Sequence, residues 1–259
     1  MKFQQIRSAT AIVTFANKRF LIDPWLAKKD TIAPIPGSPN PGLRSPIHDL
    51  VLPISEIVDV DAVIATHLHF DHFDEVAAQA IDKSMPIFAQ DKIDAHTLEG
   101  YGFRDVRILG RPSEFEGVSL YKTRCCHATP GEFEKLYSLV KMRGEACGVV
   151  FQSKDEAKRL YLAGDTVWFE GVSEAINEFS PDVIVLNCAE AGIEGFGKII
   201  MGLSDIGEVL KCAPNATVIA SHMDNVGHAR LWRKDIRAYA LSHNLKRLLI
   251  PEDGEICQF

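Results

Sequence analysis

The sequence predicts an α/β protein in which sheets are covered by helices, and three observations predict it. The chain opens on closely spaced strand-like runs, its middle alternates short apolar runs with amphipathic stretches, and its last third repeats strand, helix and strand. The opening strands are Phe3 to Arg7, Ala11 to Phe15 and Arg19 to Ile22, the last two joined by a tight Ala16-Asn17-Lys18 turn. Between Pro34 and Pro53, the run Pro34-Ile35-Pro36-Gly37-Ser38-Pro39-Asn40-Pro41-Gly42 concentrates proline, which has no N–H for a sheet ladder, so a long irregular loop is expected there. Loops of that length inside compact domains often carry function.

After the loop, Ala62-Val63-Ile64-Ala65 has the brevity and apolar content of a buried strand. Helices are expected at Asp74 to Lys83, Asp91 to Glu99, Ser173 to Glu178, Ser204 to Cys212 and His228 to Ser242. Strands are expected at Pro86 to Ala89, Val118 to Arg124, Cys147 to Gln152, Arg159 to Ala163, Val183 to Asn187, Thr217 to Ser221 and Arg247 to Ile250. The hairpins before the proline-rich loop are too short to close a core of their own, so residues 1–259 are expected to form one domain.

Composition narrows the function classes. The 259 residues are 46% hydrophobic and 24% charged, which excludes a disordered or fibrous chain. Apolar runs such as Val183 to Leu186 fall far short of the roughly 20 residues that span a bilayer. Polar residues stand in Met1 to Arg7, where a signal peptide would carry its apolar segment, so a cytosolic location is expected. The six cysteines show no paired zinc-knuckle spacing and read as reduced thiols. A formal charge of −7 argues against binding nucleic acid, which rests on Lys and Arg neutralising phosphates, and leaves small molecules as the expected partners, with a homo-oligomer open.

The chemistry concentrates in Thr66-His67-Leu68-His69-Phe70-Asp71-His72, with three imidazoles and a carboxylate directly after a buried strand. Side chains alternate along an extended chain, so His67 and His69 point the same way, and the following turn brings Asp71 and His72 to an adjacent point. Imidazole suits zinc, iron, nickel or copper, and a carboxylate accepts the same ions. A two-metal site needs more ligands than one loop supplies. His127 after Val118 to Arg124, Asp165 after Leu160-Tyr161-Leu162-Ala163-Gly164, and His222 after Thr217 to Ser221 each follow a strand in the same manner.

These residues resemble the metallo-β-lactamase superfamily, whose His-x-His-x-Asp-His motif matches His67, His69, Asp71 and His72 and whose later motifs fall on His127, Asp165 and His222 in order. The resemblance covers nearly the whole chain. It implies a four-layer αββα sandwich with two divalent metals at one edge, zinc first, with manganese and iron as alternatives. It places His67, His69 and His127 on the first ion and Asp71, His72 and His222 on the second, with Asp165 bridging. Phe20-Leu21-Ile22-Asp23-Pro24 looks most like the small bacterial lactonase-like hydrolases, the group that includes ascorbate-6-phosphate lactonase. The implied activity is hydrolysis of a small ester-like substrate by a metal-bridging hydroxide, a lactone or phosphorylated sugar derivative first and a phosphodiester second. Asp71 would orient the water and carry a proton to the leaving group. The alternatives are a di-iron oxidoreductase and a non-catalytic metal-binding protein on the same scaffold.

Supporting roles are assigned to four residues. Asp23 is a candidate hydrogen-bond partner of a ligand imidazole, against a simple Asp-Pro turn. Thr66, beside His67, could tie down backbone. Glu190 lies in a run expected to border the pocket, and His228 could reach substrate, although a surface position near a helix start is the blander expectation. Trp25, Trp168 and Phe196 could supply apolar walls or core packing alike. Cys125 and Cys126 read as small packed residues ahead of metal or redox roles.

Overall fold

A computed structural model describes residues 1–259. The first half builds one sheet. Strands β1 (Lys2–Arg7), β2 (Thr10–Phe15) and β3 (Lys18–Ile22) form an antiparallel meander, helix α1 (Ile54–Ile57) follows the proline-rich loop, and β4 (Ala62–Ala65), α2 (Glu75–Ala80), β5 (Ile87–Ala89), α3 (Lys92–Gly100) and β6 (Val106–Ile108) add parallel strands at its edge. The second half builds another from β7 (Ser113–Phe115), β8 (Val118–Arg124), α4 (Phe133–Val140), β9 (Cys147–Ser153), β10 (Leu160–Leu162), α5 (Glu170–Phe179) and β11 (Val183–Asn187). The small hairpin β12 (Gly192–Ile193) and β13 (Gly197–Lys198) precedes α6 (Leu203–Cys212), β14 (Thr217–Ser221), α7 (Arg233–Ser242) and β15 (Leu248–Leu249). Finally β16 (Ile256–Gln258) returns to pair with β1, so the strand orders are β16-β1-β2-β3-β4-β5-β6 and β15-β14-β11-β10-β9-β8-β7.

Strand alternation sorts side chains into layers. In β2, Ala11, Val13 and Phe15 face the space between the sheets while Ile12 faces outward, and in β11 Val183 and Val185 face inward while Ile184 and Leu186 face outward. The inward set is one cluster in which Phe20 meets Phe115 and Phe151 edge-on at ring separations of 5.5 and 5.3 Å. The outward residues of the first sheet pack on Ala77, Ala78, Ala95 and Leu98 of α2 and α3. Those of the second pack on Val172 and Ile176 of α5, Ile206 and Val209 of α6, and Ile236 of α7. Helix, sheet, sheet and helix layers result, the αββα arrangement expected from the resemblance.

Asp74 and Asp91 cap α2 and α3 by accepting hydrogen bonds from the first-turn N–H groups of Ala77 and of Ile93 and Asp94. Ala16 and Asn17 both have positive φ, so the hairpin of β2 and β3 closes in a two-residue turn and Lys18 belongs to β3. Helix α7 starts at Arg233 instead of His228, because the N–H of Trp232 donates to Asp235 in a capping arrangement. Helices α1 and α4, strands β6, β7 and β16 and the β12–β13 hairpin are additions to the elements expected from sequence. No helix is long and apolar enough to cross a membrane.

Candidate metal centre

The predicted ligands sit where strands from both sheets end at one edge of the sandwich. His67, His69, Asp71 and His72 follow β4 of the first sheet, whereas His127, Asp165 and His222 follow β8, β10 and β14 of the second. Gly164 turns the chain into Asp165 at φ +70°, and a Cβ there would lie 2.4 Å from the carbonyl oxygen of Cys147, so only glycine fits.

The structure brings all seven side chains together. Three trios have ligand atoms within 4.8 Å of one another: His67, His69 and His127; His67, His72 and Asp165; and Asp71, His72 and His222. Asp165 stands between the outer two trios. Its Oδ2 lies 3.2 Å from Nε2 of His72, 3.4 Å from Nε2 of His127, and 3.9 Å from Nε2 of both His67 and His222. Asp71 Oδ2 lies 3.5 Å from Nε2 of His222.

Each imidazole is also held from behind. His72 Nδ1 is 2.9 Å from Asp23 Oδ2, His127 Nδ1 is 2.9 Å from the Ile199 carbonyl, His222 Nδ1 is 3.2 Å from Ser8 Oγ, and His67 Nδ1 is 3.2 Å from Thr66 Oγ1. His69 uses Nε2 on the Arg143 carbonyl, which leaves its Nδ1 facing His127 at 3.3 Å. Asp23 also accepts from the N–H and hydroxyl of Thr66, at 2.7 and 2.8 Å, so it ties the start of the motif to His72. Such outer hydrogen bonds set ring orientation and tautomer in metal sites.

Charge is unevenly distributed across the cluster. Burial, helped by neighbouring imidazoles, lowers the pKa of His67 and lowers that of His69 to about 4, and burial also lowers that of His127. Burial works the same way on His72 and His222, but Asp165, with Asp23 for His72 and Asp71 for His222, outweighs it and raises both. Burial would raise the carboxyls of Asp71 and Asp165, yet the facing histidines hold both below the usual range.

A cavity of about 440 Å³ opens over these groups. His69, Asp71, His127, Asp165 and His228 supply its polar side. Its walls are Ile35 and Pro36 of the proline-rich loop, Leu136, Leu139, Val140 and Met142 on and after α4, and Ile193 and Ile199. No lysine or arginine lines it.

Of the supporting residues, His228 lies in this cavity only 7% exposed, which overturns the expectation of a surface position. Glu190 does not line it; its carboxylate fills the space that a Cβ at Gly202 would take, at the start of α6. Trp25, Trp168 and Phe196 do not line it either, and Trp25 is fully buried beneath Arg7. All six cysteines are free, and Cys125 donates to the Ala163 carbonyl from outside the cluster. Sequence reasoning missed Asn187, whose Nδ2 donates to Asp165 Oδ1 at 2.7 Å, Ser8 behind His222, and Tyr137, which donates to the His127 carbonyl at 2.7 Å.

The cluster fits metal ions on its own chemistry. His67 Nε2 is buried inside it with no hydrogen-bond partner, and the inner nitrogens of His72 and His222 face each other at 3.0 Å, so that once their protons leave, both lone pairs converge where a shared cation satisfies them. Five imidazoles and two carboxylates make a nitrogen and oxygen donor set suited to zinc, manganese or iron.

Comparison with known proteins agrees. Residues 18–223 match the family model described as Beta-lactamase superfamily domain. A Bacillus subtilis (strain 168) relative, UPF0173 protein YddR, is 41% identical over the full length of both chains. Two solved structures, each 41% identical, cover 100% of this chain and 99% of their own: an isothiocyanate hydrolase from Delia radicum gut bacteria, at a TM-score of 0.94, and a possible metal-dependent hydrolase from Veillonella parvula DSM 2008, at 0.96. Fold, ligand-type cluster and relatives lead to one assignment: this chain belongs to the metallo-β-lactamase superfamily and is a metal-dependent hydrolase.

Proposed function

We propose that the protein holds two divalent ions, zinc first, and hydrolyses a small uncharged apolar electrophile, with isothiocyanates as the substrate class. His67, His69 and His127 would hold one ion and Asp71, His72 and His222 the other, with Asp165 shared between them. The same reading takes residues 1–259 as one domain, supported by the return of β16 to β1.

The observation that carries the substrate class is the division of the cavity into a polar ligand side and apolar walls without a cation. The two ions would themselves meet a phosphoryl group, but the walls beyond them are apolar and carry no lysine or arginine for the polar or charged remainder of a phosphorylated sugar or phosphodiester, whereas an uncharged organic group suits them. A lactone is uncharged and ranks second. The likeness to an isothiocyanate hydrolase, 41% identical to this chain, supports the same class.

Divalent ions held in this cluster would lower the pKa of a water from about 15.7 toward about 7 and polarise the electrophile. Asp71, ionised and lining the cavity, orients that water at its carboxylate and relays its proton to the substrate nitrogen. The apolar walls hold the organic group and keep bulk water away. Addition of water to R–N=C=S gives the thiocarbamic acid R–NH–C(=O)–SH, which breaks down to R–NH2 and carbonyl sulfide.

The test is a screen of metal-reconstituted protein on 2-phenylethyl isothiocyanate, a γ-lactone and bis(p-nitrophenyl) phosphate, with metal content measured in parallel. Amine release from the isothiocyanate should exceed turnover of the other two. Faster phosphodiester cleavage, or full turnover by exhaustively demetallated protein, would overturn the reading.

A further inference from the structure

His228 lines the cavity beside Asp71 and Asp165, yet belongs to none of the metal-ligand trios. Its Nδ1 is buried without a hydrogen-bond partner. Nε2 has no hydrogen-bond partner in the protein either and, unlike Nδ1, is not sealed from solvent, so it is the ring atom free to meet a ligand in the cavity. The ring packs against Phe70 at a centroid distance of 6.4 Å, and its backbone is fastened on both sides. Asn40 Nδ2 donates to the carbonyls flanking His228, that of Gly227 at 2.9 Å and that of Ala229 at 2.6 Å. The Gly227 N–H donates to Ser45 Oγ at 3.1 Å, and the Gly192 N–H donates to the His228 carbonyl at 3.0 Å. A Cβ at Gly227 would come within 3.0 Å of the Leu43 carbonyl oxygen, so glycine lets the proline-rich loop approach this closely.

We infer that His228 is a catalytic residue that contacts substrate, donating a hydrogen bond from its imidazole to the heteroatom on which negative charge builds, and that Asn40 is the positioning residue that aims it. The inference rests on the cavity being the substrate site. It gives the proline-rich loop a second task besides supplying the Ile35 and Pro36 wall: it sets the reach of a polar group on the opposite strand connection. A neutral donor suits an uncharged thiocarbonyl or carbonyl better than a lysine or arginine would, because no counter-charge is needed in an apolar cavity.

Two unreactive probes test it by calorimetry on the metal-loaded protein: 2-phenylethyl thiourea, which offers a heteroatom, and n-butylbenzene, which offers none. His228→Ala should weaken thiourea binding about tenfold, the scale of one neutral hydrogen bond, and leave butylbenzene binding and metal content unchanged. His228→Gln, which keeps a donor, should recover part of the loss, and Asn40→Ala should show the same probe-selective loss at smaller size. Equal weakening of both probes makes His228 a wall residue and overturns the inference, as does no weakening of either or a wild type that binds neither. Hydrolysis of 2-phenylethyl isothiocyanate, measured alongside, separates the two readings. A wild type that binds thiourea through His228 and hydrolyses nothing defeats the proposed function while leaving the contact intact.

Discussion

The Nε2 of His72 lies 3.2 Å from Oδ2 of Asp165, while the other carboxylate oxygen, Oδ1, is held by Asn187 Nδ2 at 2.7 Å. Asp165 thus has one oxygen fixed and the other presented to four imidazoles. Replacing it with Ala removes the oxygen presented to those imidazoles. Metal content in Asp165→Ala should drop below the wild-type value and hydrolysis should fall by at least about a hundredfold, since the loss goes beyond the 10–100-fold effect of disturbing an outer partner. Elemental analysis of dialysed protein checks the first, and full occupancy there would count against Asp165 as a bridging ligand.

The two halves of the cluster should load at different pH. His67, His69 and His127 have lowered pKa values, burial being the largest cause, so in metal-free protein they are neutral at pH 7 and ready to coordinate. On His72 and His222 the neighbouring carboxylates outweigh burial and raise the pKa, so a proton must leave each before a metal binds. Metal affinity at Asp71, His72 and His222 should therefore rise with pH through the neutral range, while affinity at the three-histidine trio varies little there. Calorimetric metal titrations between pH 6 and about 8.5 should show a second binding step that strengthens with pH and releases protons. Two steps with the same pH slope would contradict this.

Asp23 accepts three hydrogen bonds, from the Thr66 N–H, the Thr66 hydroxyl and His72 Nδ1. Asp23→Asn retains the volume but removes the charge facing the imidazole. Metal affinity should fall about 10–100-fold, the usual consequence of losing an outer-shell carboxylate, with little change in fold. Competition with a chromophoric chelator measures it, and unchanged affinity would reduce Asp23 to a turn residue.

Much of this site is readable because each predicted ligand follows a strand end and strands announce themselves by apolar runs. Strands β4, β8, β11 and β14 occupy the residues that those runs indicate. Partners that depend on chain reversal are not readable: Ser8 and His222 are separated by 214 residues, and nothing local to either marks the contact. Helix α4 is a different case. Phe133, Leu136, Tyr137 and Val140 carry helical spacing, so the signal is present, in a short stretch flanked by glycines. His228 is misleading in sequence because it stands where the last helix is expected to start, whereas hydrogen bonds from Asn40, far away in sequence, fasten the backbone on both sides of it.

The interior between the sheets rests on its phenylalanines. Phe20 is fully buried and touches both Phe115 and Phe151 edge-on, both contacts spanning the two sheets. Phe20→Ala should destabilise the protein by about 3–5 kcal/mol through lost burial and the cavity left behind. Urea denaturation of metal-free protein is the appropriate measurement, since bound metal adds its own stabilisation. A loss below about 1 kcal/mol would mean that the sheets close over the gap.

Leu139 and Met142 line the cavity while remaining 64% and 41% exposed, so they form its rim and can be cut back without emptying the core. If apolar walls select the substrate, shortening them should act on binding of the organic group and spare the chemistry below. Leu139→Ala and Met142→Ala should each raise KM for 2-phenylethyl isothiocyanate about 5- to 50-fold, within the 1–3 kcal/mol that small changes in an apolar pocket produce. Values of kcat should stay within about twofold, because the interaction is made equally in ground and transition states. Methyl isothiocyanate, too small to reach the rim, should be hydrolysed by the variants as by the parent. A drop in kcat shared by both substrates would instead show that the rim positions the ligand cluster through Arg143, whose carbonyl holds His69 next to Met142 in the chain.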